Sequence, residues 1–200
     1  MLTSFLYWFV LPILGVIIEG GLLVFFLLKK RPPSLNFLSR LYKFYFFFLI
    51  IYAFFLTGLH YYFWSQGEIT QYLLPPITPF NYFIHYSFYY FFLEIVIRLI
   101  FSLLIFLLIL FFNQKFEKTF FFEEEKYLAA IGILTVGWPY CLLYLIVILL
   151  LSLITQLINL IIKKYQRISF LYLWVPAALL ILFMSGIINQ SAFYNYWRII

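Results

Sequence analysis

The sequence predicts an all-α protein, a polytopic transmembrane helical bundle of five or six membrane elements, and three observations predict it. Of 200 residues, 66% are hydrophobic and only 10% charged, which suits a multipass membrane protein and not a soluble core. Long apolar runs, each enough for a helix to cross a hydrocarbon core of about 30 Å, alternate with short polar segments. Lysine and arginine gather in some of those segments and are missing from others, the asymmetry that orients membrane proteins. No internal repeat of domain size and no long linker divides the chain, so residues 1–200 read as one integral membrane domain.

Residues 5–28 form the first span, 24 mainly apolar residues or about 36 Å of helix. The start lacks a basic region and a small-residue cleavage site, so nothing marks it for removal. The span stops at "KKRPPSLNFLSRLYK", where Pro32 and Pro33 cannot continue a helix. Lys29, Lys30, Arg31, Arg40 and Lys43 make this the most basic loop, placing it on the cytoplasmic or matrix side. Of these, Lys29, Lys30 and Arg31 are the candidate lipid-headgroup contacts.

Residues 44–63 form a second span leading to "WSQGEITQYLLPPITPF", which has no lysine or arginine and faces outward. The third stretch, residues 81–112, would be about 48 Å as one helix, so either it tilts or its Tyr-rich first third lies at the interface. Tyr82, Tyr86, Tyr89 and Tyr90 favour the interface, where amphipathic rings collect. Residues 113–126 return to the basic side, and Glu123, Glu124 and Glu125 read as a solvated helix start beside the positive end of the helix dipole. Residues 127–162 are apolar but for the break "GWP". The arm before that break is too short to cross, so it reads as a half-helix or re-entrant arm followed by a full span. After the basic "KKYQR", the last span runs from Ile168 to about Ile188.

Charge inside the spans is rare. Residues 82, 86, 90, 94, 98 and 102 read Tyr, Tyr, Tyr, Glu, Arg and Ser, and their four-residue spacing draws a polar ridge along one helix. Glu94 and Arg98 can neutralise each other there, as a structural pair or as part of a proton or ion path. Glu19, followed by two glycines that would permit close helix approach, is a second intramembrane acid; it is expected to contact a partner subunit, with pairing to Arg98 or proton carriage as alternatives. His60 and His85 are both placed near the outer interface. Interfacial hydrogen bonding is the preferred role for them, with haem ligation the weaker reading.

Several chemistries are excluded in their usual form. The chain has no aspartate, which removes Ser/His/Asp triads and aspartyl dyads, and it carries no phosphate-binding glycine loop. His and Cys lack zinc-ligand spacing, and consecutive glutamates fan round a helix without converging on one metal ion. The single cysteine, Cys141, allows no intrachain disulfide. The net charge of +6 reflects loop topology and anionic headgroups, without the basic, polar surface that nucleic acid needs.

"EEEKYLAAIGILTVGWPYCLLYLIVILLLSLI" and "ISFLYLWVPAALLIL" resemble segments of the prepilin peptidases, membrane proteases of the GxGD type, as more weakly do "LGVIIEGGLLVFFLLKKRPPS" and "YFWSQGEITQYLLP". The resemblance implies a polytopic fold with a substrate groove. At the family's two catalytic aspartates this chain has Tyr62 and Glu124, with Glu123 for the preceding glycine, so the resemblance implies no proteolysis. The C-terminal half is similarly laid on the channel subunit of the twin-arginine translocase. With 28 Phe and 18 Tyr, the composition resembles that of membrane subunits encoded in AT-rich organellar genomes, ciliate mitochondria especially.

The expected function is that of a non-catalytic multipass subunit with a structural or assembly role in a larger membrane complex. A mitochondrial inner-membrane respiratory or ATP synthase assembly is favoured, with a bacterial inner membrane as the alternative. Other membrane subunits and lipids are the expected partners, nucleic acid is not, and no cofactor beyond bound lipid is expected. A degenerate prepilin-peptidase-like protein and a small transporter or proton-path component using Glu19, Glu94 and Arg98 are the other readings.

Overall fold

Ser34 fixes where the second helix starts. Its backbone is extended and its hydroxyl accepts the N–H of Phe37 at 3.4 Å, the usual way of satisfying a donor that the first turn leaves orphaned. A computed structural model describes residues 2–29, 32–116, 121–161 and 170–188 of the chain, with no strand among them. The helices are α1 (Leu2–Lys29), α2 (Leu35–Gln66), α3 (Phe80–Ser87), α4 (Leu93–Lys115), α5 (Glu125–Val136), α6 (Tyr140–Ile161) and α7 (Trp174–Ile188). A π-helical turn, Phe88–Phe92, joins α3 to α4, so the two make one continuous rod, Phe80–Lys115.

Four helices are long and apolar enough to cross a membrane: α1, α2, the α3–α4 rod and α6. This is the build of an integral membrane protein. α2 begins nine residues before the predicted start, so Arg40 and Lys43 ride on its first turns instead of in a loop. The reason is a buried seam, Leu38, Tyr42, Tyr45, Leu49, Tyr52 and Leu56, whose alternating spacing of four and three residues keeps one face against the bundle from the first turn onward. The rod lies antiparallel to α2: Phe92 packs on Phe54, Tyr86 on His60 and Phe83 on Trp64. The third apolar stretch is therefore helical throughout, and its Tyr-rich end packs along α2.

The arm before "GWP" is the centre of the molecule. α5 has 12 residues, about 18 Å of helix, and is covered on every side: Ala129, Ala130, Ile131, Ile133 and Leu134 are all fully buried. A helix apolar all round belongs inside a bundle, and α1, α2, α4, α6 and α7 all pack on it. It starts at the basic end, where the Tyr127 ring meets Tyr42 and Phe106. At residues 137–139 the chain turns back, and α6 returns antiparallel to α5 with Tyr144 lying against Gly132. α7, with 15 residues, is about 22 Å long, shorter than the span expected from Ile168; Ile168 itself and the preceding basic loop lie outside the described residues.

Candidate functional site

The elbow at the end of α5 holds the charged pair. Arg98 Nε donates to Glu94 Oε1 at 3.2 Å, and Arg98 Nη2 closes an ion pair with the same oxygen. The pair spans one turn of α4 and buries Arg98 to 7% exposure. The guanidinium lies against Gly137, where any Cβ would overlap it. Gly137 also adopts φ +75° and ψ −179°, a region open essentially to glycine alone. Its N–H closes the last turn of α5 on the Ile133 carbonyl at 3.0 Å. A fixed cation at the C-terminal, negative end of this helix is favourable by about 0.3–1 kcal/mol, and more when partly buried.

The opposite face of α5 meets Glu19. Thr135 Oγ1 donates toward Glu19 Oε1 at 3.0 Å and toward the Gly132 carbonyl at 2.9 Å, one hydroxyl hydrogen shared between two acceptors. Glu19 is 1% exposed, so its contact lies within its own chain. The glycines beside it do not create that contact: a Cβ at Gly20 or Gly21 would meet nothing within 4 Å. Successive residues point about 100° apart on a helix, which turns both away from the face that carries Glu19. The close approach comes from Gly15, one turn earlier, where a Cβ would stand 3.2 Å from the Thr135 carbonyl oxygen. On α2, Tyr45 is fully buried, and its hydroxyl finds no hydrogen-bond partner among the described residues.

The polar ridge is real but is not a simple four-residue row. In an α-helix a step of four residues overshoots a turn by about 40°, so the ridge would wind away from the core before Ser102. The π turn winds more slowly and takes back part of that drift. Arg98 and Ser102 both end up buried, and the Ser102 hydroxyl donates to the Ala130 carbonyl of α5 at 3.0 Å. Tyr86 and Tyr90 stack at 5.2 Å, while Tyr82 faces outward.

The histidines are not brought together. His60 stacks on Tyr86 at 5.2 Å and tilts against Trp64 at 4.8 Å, whereas His85 is exposed on the far side of α3. The glutamate run is not a purely solvated helix start: Glu125 is fully buried, because α5 enters the bundle with its first turn. Tyr62 and Glu124 stand at opposite ends of α2, since Tyr127 packs on Tyr42 and Tyr62 lies twenty residues, about 30 Å, further along. Lys29 holds its ammonium 5.5 Å from the Phe25 ring centroid; Lys30 and Arg31 lie outside the described residues.

Thr135, Tyr45, Gly132 and Tyr144 join the cluster without any sequence signal that singles them out. Gly132 admits the Tyr144 ring, whose hydroxyl would overlap any Cβ there and which donates to the Trp174 carbonyl at 3.3 Å. Gly137 carries a sequence signal only as part of the "GWP" break, which marks a turn and not a contact with Arg98. Chemically the arrangement pins a short helix by polar contacts on both its faces. Among the described residues no group of three or more His, Cys, Asp or Glu is placed to hold a metal ion. No family model, curated protein or solved structure matches the chain.

Proposed function

We propose that this chain is a non-catalytic subunit of a larger membrane complex, with a structural role. The observation that carries the structural role is that the intramembrane charges Glu19, Glu94 and Arg98 are each engaged by groups of this chain. Glu94 holds Arg98, Arg98 seats on the Gly137 elbow, Glu19 meets Thr135 and Ser102 meets Ala130. The last three contacts fix α5 and the first holds Arg98 in place for its own, and charges engaged in holding a helix favour a scaffold over a proton or ion path. The topology we infer has six membrane elements: the four long helices, a re-entrant α5 and the shorter α7. Lys29 and Lys115 then share the matrix or cytoplasmic side, in keeping with the positive-inside rule. The Phe- and Tyr-rich composition supports a mitochondrial inner-membrane respiratory or ATP synthase assembly as the host.

Gentle solubilisation followed by native electrophoresis tests this reading. The chain should migrate in a large complex with other membrane subunits, and Arg98→Leu should deplete it from that complex. Recovery as a lone, monodisperse chain would overturn the proposal. So would an Arg98→Leu protein that assembles normally while a proton or ion flux is lost.

A further inference from the structure

We infer that the cleft between α1 and α2 is a binding site for one anionic phospholipid, with an acyl chain in the cleft and the phosphate at its basic mouth. The inference rests on the membrane-embedded reading and is independent of which complex the chain joins.

The cleft has a volume of about 280 Å³ and is lined by Ile17, Gly21, Leu22 and Phe25 from α1 and by Phe37 and Leu41 from α2. It exists because α1 carries no side chain at Gly21, where a Cβ would meet nothing within 4 Å. It opens sideways, for Ile17 is 63% and Phe37 51% exposed. The side chains that line it are all apolar, and the basic groups nearest to it stand at the end of α1 and in the first turns of α2. Lys29 reaches over the ring of Phe25, a wall residue. Arg40, exposed on α2, lies one turn from the wall residue Phe37 and on its helical face, and a side chain of that length can reach several ångströms toward the headgroup level.

Depth separates a lipid from a partner helix. From Lys29 down to Ile17 is about 18 Å along the helix, close to half of a hydrocarbon core of about 30 Å. The cleft therefore covers one leaflet, as an acyl chain does, and a partner helix would need a seam across both. Lys29 at the mouth, with Arg40 able to reach up to it, complements a phosphate that carries its own hydrocarbon chain.

The test uses the full-length chain, purified in mild detergent and given phosphatidylglycerol or phosphatidylcholine with matched acyl chains, with retained lipid counted by native mass spectrometry. One phosphatidylglycerol should be held in preference to phosphatidylcholine. Lys29→Gln with Arg40→Gln should weaken it about thirtyfold, equivalent to about 2 kcal/mol at 1.4 kcal/mol per decade. Gly21→Leu, which fills open space, should reduce retention of both lipids. A phosphatidylglycerol with a photoreactive group along its acyl chain should label residues 17–25. Equal retention of the two lipids, an unchanged Gly21→Leu protein, or label spread evenly over the outward Phe47, Ile51 and Phe55 face would each overturn the inference. Protection of the cleft by a copurifying protein helix would do the same.

Discussion

Gly137→Ala puts the elbow to its most direct test, because a single methyl group meets two constraints there. A residue with a Cβ held in this glycine-only region costs about 1–3 kcal/mol of backbone strain. The same methyl would overlap the Arg98 guanidinium, driving it from Glu94 and forfeiting a charged hydrogen bond of about 1.5–3 kcal/mol. The expected loss is thus about 2.5–6 kcal/mol, read by reversible unfolding in mixed detergent and dodecyl sulfate micelles. Trp138, beside the elbow and packed on Phe101 at 5.7 Å, provides the fluorescence signal. Arg98→Ala separates the two contributions. In that background the methyl has no guanidinium to displace, so only the strain of about 1–3 kcal/mol should remain, and the double-mutant cycle should return a coupling of about 1.5–3 kcal/mol. A Gly137→Ala protein within about 0.5 kcal/mol of the parent, or losses that simply add, would refute this account of the elbow.

Two further outcomes follow from the same cluster. Tyr45→Phe removes a buried hydroxyl that has no described partner, so stability should hold within about 0.5 kcal/mol or rise; a loss above about 1 kcal/mol would mean that the hydroxyl is held after all. Thr135→Val takes the donor from buried Glu19 and should cost about 1–3 kcal/mol. Glu19→Gln keeps an acceptor oxygen toward Thr135 and should cost less in the same unfolding assay. The reverse order would show that Thr135 does not hold Glu19.

Much of the architecture was legible because hydrocarbon thickness and helix rise together constrain any apolar run. The four long helices followed from run length alone, and "GWP" marked the elbow because glycine followed closely by proline interrupts a helix. The start of α2 was less legible: Arg40 and Lys43 suggested a loop, although the seam from Leu38 onward was written in the same residues. In the site, Glu94 and Arg98 were visible as charges at helical spacing. The group that positions them was not, because Gly137 reads as a turn residue until its neighbour across the fold is known. Thr135 and Tyr45 are ordinary members of apolar runs, and only the three-dimensional approach of α1 and α2 to α5 gives them a task. The π turn left no mark at all, since it is a feature of hydrogen-bond pattern and not of residue type.

The short central helix also has a history to account for. Twelve residues cannot bridge a bilayer, and a helix that ends at mid-membrane leaves the last carbonyls of its final turn without partners of its own. Lipid would be a poor host for this segment on its own. Long apolar helices can enter the membrane one by one and associate afterwards; α5 has no such independent first stage. Its place is made by α1, α2, α4, α6 and α7, two of which are synthesised after it. The surroundings that bury α5 are therefore complete only once α6 and α7 have been made, so the centre of the bundle takes its final packing after the end of the chain and not in the order of the sequence.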